Sequence, residues 1–152
     1  MRKITLIFAL VAATSALTPR LGFAGDKGQQ QENKKIVLEF YEKAINEKDF
    51  QAASKYLGPQ YVQHNQMAAD GIDGLKRLIE FLRDKFPKSH NEIKRVFTNG
   101  DFVILHVHAV REPGTHGLAA VDMFRLQNGK IVEHWDVHEE IIEKPANSNT
   151  MF

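Results

Sequence analysis

Apolar and polar residues follow two different periods along this chain. From residue 34 to residue 45 the apolar side chains recur every three or four positions, which predicts a helix with one buried face. A second, short helix is expected over residues 50–57, where Gly58-Pro59 would stop it. A third helix is expected from Gly71 to the position before Pro87, because its apolar residues form one stripe.

After Pro87 the apolar positions change to a period of two, which is typical of strands. The strand-like runs are Asn91–Thr98, Asp101–Arg111, Leu118–Gln127 and Lys130–His138. Asn99-Gly100 and Asn128-Gly129 are hairpin signals, because a type I′ turn needs positive φ at both central residues. Helices followed by a strand meander predict an α+β fold, with N-terminal helices packed on an antiparallel sheet.

The first residues have the pattern of an export signal. Arg2 and Lys3 precede an apolar run, and the small residue Ala24 marks the expected cleavage site. The run is shorter than the roughly 20 residues that span a bilayer, so we favour a cleaved signal over residues 1–24 rather than a membrane anchor. Residues 25–33 are expected to form a flexible leader, 34–143 one domain and 144–152 a flexible tail. We therefore predict a periplasmic or secreted protein.

Charge and composition exclude several classes of function. The chain has 20 Lys+Arg and 19 Asp+Glu, for a net charge of +1. Cleavage after Ala24 leaves 17 Lys+Arg against the same 19 acids and a net charge of −2. A nearly neutral surface lacks the positive footprint that nucleic acid requires. The sequence has no cysteine, which excludes disulfides and thiolate chemistry.

The Asn128-Gly129 turn predicts which side chains of the last two strands share a face, because side chains alternate along a strand. Counting inward from a two-residue turn places Asp122 opposite Trp135 and Phe124 opposite Glu133. We expect the helices to cover this face. A buried carboxylate is costly unless it is paired, so a histidine close to Asp122 would make it a candidate acid–base group.

His106 and His108 lie on one face of the second strand, where the Asn99-Gly100 turn would also place Phe97 opposite Phe102. The register across the loop 112–117 decides whether the two histidines share the face of Asp122. We expect that they do, because this register gathers the polar groups into one pocket. The other face would then be uniformly apolar, with Val103, Leu105, Val107, Val121 and Met123. So large an apolar patch predicts a homodimer joined across the sheet.

A metal site is the alternative chemical interpretation. His106-x-His108 presents two imidazoles on one face, and His134-x-Asp136-x-His138 presents a further set. Zinc or iron in an open three-ligand site accepts such side chains. The turn count, however, places His134 and Asp136 on the face opposite Trp135. The favoured interpretation therefore has no metal and no cofactor.

Three segments resemble the SnoaL-like polyketide cyclases of the nuclear transport factor 2-like superfamily: Tyr61–Asn65, Val121–Arg125 and Asn128–Asp136. The resemblance extends from about residue 34 to residue 142. It implies a conical cavity between a curved sheet and the helices. In cyclases of this family an Asp is the general acid–base for an intramolecular aldol closure without metal or cofactor, and Asp122 is the matching position.

The resemblance also implies roles for other residues. A cavity histidine assists the Asp, and His106 or His108 is the nearest match. The remaining expected substrate contacts are His64 and Asn65 at the pocket mouth or wall, with Phe86, Phe124, His134 and Trp135.

Three classes of function are consistent with the sequence. The first is an enzyme that abstracts a proton α to a carbonyl of a small apolar substrate, with Asp122 as base and His106 or His108 polarising or reprotonating the oxygen. The second is an exported module that binds a hydrophobic ligand without catalysis. The third is a metal-dependent enzyme that uses His106 and His108. We favour the first, and we expect no nucleic acid partner and no membrane association after signal cleavage.

Overall fold

The computed structural model describes residues 26–152, so the predicted signal over residues 1–24 lies outside the described residues and stays a prediction. Helix α1 spans Lys27–Tyr41, and Asp26 caps it by accepting a hydrogen bond from the Gly28 amide. Residues 27–33 are therefore helical, although we expected a flexible leader there. Burial explains the difference, since Asn33 is only 2% exposed and anchors this first part of the helix.

Two of the three predicted helices match the structure closely. Helix α1 continues as a π-helical segment, Glu42–Asn46, and α3 spans Gly71–Lys85. The expected short helix is α2, Phe50–Ala53, followed by a 3-10 turn over Ser54–Tyr56. Asp49 caps α2 by accepting a hydrogen bond from the Ala52 amide.

Strand β1, Leu57–Gln63, was not predicted. It pairs in parallel with the last strand, where Gln63 lies beside His134. The pattern Gly58-Pro59 argued against a strand at this position, because a proline inside a strand normally prevents sheet pairing. Pro59 is tolerated here because β1 is an edge strand. The sheet is therefore mixed, not wholly antiparallel as we expected.

The four predicted strands are confirmed as β2 (His90–Asn99), β3 (Phe102–Val110), β4 (Leu118–Gln127) and β5 (Lys130–Glu140). The five strands form one curved, open sheet in the order β1-β5-β4-β3-β2. The helices pack against its concave face. The core between the layers includes Val37, Phe40, Ile79, Leu105, Phe124 and Ile131. The predicted α+β architecture is thus confirmed.

The register between β3 and β4 differs from the expected one. Leu105 pairs with Asp122 and His106 pairs with Val121. Directly paired residues share a face, so His106 and His108 lie on the opposite face of the sheet from Asp122. Our expectation for the two histidines was wrong, because a one-residue slip turns every side chain of a strand to the other face.

The same register divides the patch that we expected to be uniformly apolar. Val103, Leu105 and Val107 face the helices and are fully buried. Val121 and Met123 lie on the outer, convex face with the two histidines.

A β-bulge in β5 changes the pairing near the Asn128-Gly129 turn. The turn itself is confirmed, because Gln127 pairs with Lys130 and both central residues have positive φ. Beyond it, Leu126 pairs with Ile131 but Arg125 pairs with Glu133, so Val132 is an extra residue.

The bulge makes the predicted pairs Asp122–Trp135 and Phe124–Glu133 wrong. Asp122 lies opposite Asp136, and Phe124 lies opposite His134. His134 and Asp136 are thereby turned to the cavity face.

The turn between β2 and β3 is shifted by one residue from its predicted position. Asn99 pairs with Phe102, so the turn residues are Gly100 and Asp101, and Gly100 has φ of +57°. Phe97 consequently lies opposite Ile104 instead of Phe102. All of these side chains stay on the outer face.

The C-terminal segment crosses the outer face of the sheet. Residues 144–152 form no helix or strand, as expected for a tail. The Phe152 ring nevertheless contacts the His106 and His108 rings, with centroid separations of 5.3 and 4.8 Å. Within residues 26–152, no helix has both the length and the apolar character needed to cross a membrane.

Candidate active site

A cavity of about 720 Å³ lies between the concave face of the sheet and helices α1 and α3. Apolar side chains form most of its wall, among them Phe40, Ile45, Leu75, Leu78, Phe86 and Phe124. The carboxylate and imidazole side chains in its wall come from β4 and β5, and those of His134 and Asp136 lie beside Asp122. A largely apolar pocket with a few convergent polar groups is the usual form of a small-molecule site.

Asp122 is buried in the wall of this cavity with 7% of its surface exposed. Its Oδ1 atom lies 3.2 Å from Nε2 of His134. Its Oδ2 atom lies 3.3 Å from the Tyr41 hydroxyl, which reaches it from the end of α1. Both carboxylate oxygens therefore have partners, as a buried carboxylate requires.

The orientation of His134 determines how it interacts with Asp122. His134 Nδ1 lies 2.9 Å from Oε1 of Gln63, and the same oxygen accepts a hydrogen bond from the Asn65 amide. Because an amide oxygen only accepts, Nδ1 must carry a proton and donate it. The contact on the Nε2 side then needs one further proton. His134 and Asp122 share this proton, as imidazolium and carboxylate or as neutral imidazole and carboxylic acid.

Tyr41 holds the other side of the carboxylate. Its hydroxyl accepts a hydrogen bond from Nδ2 of Asn91, at 2.9 Å, and donates to Asp122. Burial, and then the charge of Asp122, raises the pKa of Tyr41 well above its usual value. Tyr41 is therefore a permanently protonated donor at physiological pH.

Asp136 lies beside this pair, directly across the strand from Asp122. Its Oδ2 accepts a hydrogen bond of 2.7 Å from Nδ2 of Asn65. Its Oδ1 is buried and has no hydrogen-bond partner among the described residues. Ligating atoms of Asp122, His134 and Asp136 all lie within 4.8 Å of one another. A ligand hydroxyl or a divalent cation would satisfy the unpartnered oxygen.

The structure brings several of the predicted site residues to this cavity. Asp122, Asn65, Phe86, Phe124 and His134 all line it. Phe124 packs against the His134 ring, with centroids 4.7 Å apart, and so restricts its orientation. Their roles in binding or catalysis stay predictions.

His64 and Trp135 do not line the cavity. Trp135 alternates with His134 along β5 and therefore points to the outer face. The His64 ring stacks on Trp135 at 4.6 Å, and its Nε2 lies 2.9 Å from Oε1 of Glu133. Burial alone would raise the pKa of Glu133, but hydrogen bonds from His64 and Arg125 outweigh it and lower this pKa. These residues form a charged network outside the pocket.

His106 and His108 are also separated from Asp122, by the thickness of the sheet. His106 Nδ1 lies 3.1 Å from a guanidinium nitrogen of Arg95. His108 Nε2 lies 2.8 Å from the His116 carbonyl oxygen. Neither histidine can contact a molecule bound beside Asp122, so the expected partner of Asp122 is replaced by His134.

Sequence reasoning missed three residues that surround the Asp122–His134 pair. Tyr41 occupies an apolar helix position and is indistinguishable from an ordinary core residue. Gln63 required knowledge of strand β1, which was not predicted. Asp136 was noticed as a possible metal ligand, but the turn count placed it on the wrong face.

The fold and the polar cluster together define a class of cone-shaped α+β domains, here with a buried Asp–His pair inside a largely apolar cavity. The chain belongs to the SnoaL-like polyketide cyclase family, whose model matches residues 35–141. No curated protein sequence matches the chain.

Solved structures show the same fold at low sequence identity. A candidate polyketide cyclase from Bacillus cereus is 21% identical, with a TM-score of 0.64, over 75% of this chain and 78% of that one. AclR, a candidate hydroxylase from Streptomyces galilaeus, is 23% identical, with a TM-score of 0.59, over 72% and 90%. A candidate ketosteroid isomerase from Kribbella flavida is 12% identical, with a TM-score of 0.63, over 78% and 86%. The different descriptions agree with the general rule that fold alone does not determine activity.

Proposed function

We propose that this protein is an exported small-molecule enzyme that abstracts a proton α to a carbonyl, without a metal or cofactor. The observation that carries the proposal is the buried Asp122, held between His134 and Tyr41 inside an apolar cavity. Ionisable groups that are buried and held by hydrogen bonds in a largely apolar pocket are typical of acid–base sites. The likeness to cyclases and to a ketosteroid isomerase supports the same class of chemistry.

The proposed reaction begins when the Asp122 carboxylate accepts the α-proton. The electron pair of the broken C–H bond stays on the substrate and is delocalised onto the carbonyl oxygen, which gives an enolate. In an aldol-type closure or condensation, the enolate carbon then forms a bond to an acceptor carbonyl carbon. The alkoxide that results takes the proton back from Asp122. In an isomerisation, Asp122 returns the proton to another carbon of the conjugated enolate. His134 and Tyr41 orient the carboxylate throughout.

A non-catalytic binding module is the rival interpretation of this cavity. An apolar ligand alone would not require two carboxylates and a histidine in its pocket, because burying such groups destabilises the fold unless each is paired. Oδ1 of Asp136 is buried without a hydrogen-bond partner among the described residues, and it destabilises the fold in this way. The direct test is deuterium incorporation α to the carbonyl of cyclic ketones and β-keto esters in D₂O, followed by NMR. A pure binding module would bind such compounds without exchange.

A metal-dependent enzyme is a second candidate, favoured by the same unpartnered oxygen. Its site would consist of Asp122, His134 and Asp136 and not of His106 and His108. A divalent cation there would supply Lewis acidity toward a carbonyl. If our proposal is right, elemental analysis of the purified protein should show no stoichiometric metal, and a chelator should leave exchange activity unchanged. Stoichiometric metal that is lost together with activity in Asp136→Asn would favour the second candidate.

We also propose that the protein forms a homodimer through the outer face of the sheet. Phe97, Phe102 and Val137 are 56%, 39% and 65% exposed there, beside the partly buried Val121 and Met123. Exposed apolar surface of this extent is typical of an interface.

Val137→Glu should therefore yield a folded monomer in sedimentation velocity, because it places a charge in the interface. Met67→Glu is the matched control, since Met67 is 90% exposed but lies at the cavity and should not affect association. A monomeric wild-type protein at tens of micromolar, about the range that detects weak dimers, would contradict the proposal.

A further inference from the structure

The cavity has two arginines at its entrance that have no acidic partner among residues 26–152. Residues 26–152 contain five arginines. Arg83 pairs with Asp84, Arg125 pairs with Glu133, and Arg95 contacts His106. The other two, Arg77 and Arg111, make no ion pair or side-chain hydrogen bond within the described residues, and both line the cavity. No lysine lines it.

Two aromatic rings, those of Phe86 and Phe81, connect the positions of the two arginines in the cavity wall. The Arg111 guanidinium lies over the Phe86 ring, 5.6 Å from its centroid. Phe86 packs edge-on against Phe81, with centroids 5.7 Å apart. Arg77 precedes Phe81 by one turn of α3 and therefore shares its side of the helix. Both arginines and Phe81 are exposed, whereas Asp122 is buried. The cavity thus has a basic, aromatic mouth and an acidic inner end.

The distance between the two ends follows from the strand geometry. Leu105 pairs with Asp122, and β3 continues for five residues to Val110, immediately before Arg111. At about 3.3 Å per residue, the end of β3 lies roughly 16 Å from Asp122. Ala109, Leu118 and Ala120 line the floor between them. Because two of these side chains are alanines, the floor leaves room for an extended ligand.

We propose that the cavity binds an elongated, largely apolar molecule that carries an anionic group at the end remote from Asp122. Arg111 and Arg77 bind that group at the mouth, and the reacting end lies beside Asp122. The inference concerns the same cavity as the proposed function and specifies its substrate class. A guanidinium fits either a carboxylate or a phosphate with paired hydrogen bonds, so the shared chemistry is a planar or tetrahedral oxyanion.

Three probes with one ten-carbon chain and different head groups test the inference: decanoate, decanamide and decyl phosphate. Binding to the purified protein is measured by isothermal titration calorimetry at low ionic strength, and amide NMR shifts locate the site. We expect the anionic probes to bind about tenfold more tightly than decanamide, since a hydrogen bond to a charged group is worth that ratio or more. Shifts should be concentrated at Phe86 and Arg111. The tighter of the two anionic probes identifies the preferred head group.

Arg111→Gln should weaken binding of the anionic probes about tenfold and leave decanamide within about twofold. Arg77→Gln should act in the same direction. Arg83→Gln is the matched control, because Arg83 lies on the same helix but does not line the cavity. Equal affinity for decanoate and decanamide, an equal effect of Arg83→Gln, or no binding of decanoate at millimolar concentration would overturn the inference.

The result is independent of the proposed chemistry, because none of the probes is turned over. The head-group preference should persist in Asp122→Asn. Loss of the preference with α-proton exchange intact would refute only the anionic substrate class. If the protein prefers anionic head groups but exchanges no α-proton in any carbonyl compound, only the proposed enzyme function would be refuted.

Discussion

Replacing Asp122 by Asn should lower the rate of α-proton exchange by about 10²–10⁴-fold, the usual contribution of a positioned general base. The amide has the shape of the carboxylate but cannot accept a proton at neutral pH. The change therefore removes the proposed chemistry while keeping the geometry of the cavity. The measurement is the rate of deuterium incorporation into a responsive carbonyl compound, followed by NMR in D₂O.

The fold should tolerate this substitution because each hydrogen bond has a replacement. The Asn oxygen can accept the bond from Tyr41, which stays protonated. The Asn amide can donate to Nε2 of a neutral His134, whose Nδ1 proton is held by Gln63. We expect the thermal midpoint to change by only a few degrees, since one net hydrogen bond is worth about 1 kcal/mol.

Asp73→Asn is the matched control for this experiment. Asp73 is an exposed carboxylate in the first turn of α3 and is not part of the cavity wall. It should retain the exchange rate of the wild-type protein. Full activity in Asp122→Asn would contradict the acid–base proposal, and an equal loss in both variants would show that the assay does not report on this site.

The element types were predictable because each depends on a local pattern. The stripe of apolar residues on α3 and the alternation in β3 and β4 reflect burial of one face, and the Asn128-Gly129 turn depends on two adjacent residues. Strand β1 was not predictable in this way. Its Gly58-Pro59 start is unfavourable locally, and it is stabilised by parallel pairing with β5, far away in the sequence.

The candidate site was predictable only in part, because it depends on register. Asp122 is conspicuous as a carboxylate inside an apolar strand, and the structure indeed places it in the cavity. Its partner could not be identified, since the single extra residue Val132 decides which face His134 occupies. The loop between β3 and β4 likewise decides whether His106 lies on the same face of the sheet as Asp122. Gly117 has positive φ there, and a Cβ at this position would lie 2.3 Å from the Ala109 carbonyl oxygen.

Leu105→Glu should unfold the protein instead of producing a folded monomer, and it is the strongest test of the β3–β4 register. If the register that we expected from sequence were correct, Leu105 would lie on the outer face and a glutamate there would only disrupt a dimer. In the structure, Leu105 is fully buried under the helices and pairs directly with Asp122.

A glutamate at position 105 would lose the burial of a leucine and place a second carboxylate beside Asp122. Removing a buried leucine side chain costs about 2–5 kcal/mol, and an unpaired buried charge adds several more. Because a domain of this size has about 5–15 kcal/mol of total stability, most of it should be lost. Circular dichroism and thermal melting should show little native protein. Leu105→Met, with nearly the same volume, should cost less than about 1.5 kcal/mol.

Val121→Glu is the counterpart on the other face of the sheet. Val121 is only partly buried and pairs with His106, so a glutamate there can remain hydrated and lie beside an imidazole. It should stay folded and, if the outer face forms the dimer, become monomeric. If Leu105→Glu is instead folded and monomeric, as Val121→Glu should be, then Leu105 and Val121 share the outer face and the strand register is the one that we expected from sequence. That result would bring His106 and His108 into the cavity with Asp122, so the two variants test the geometry on which the proposed chemistry depends.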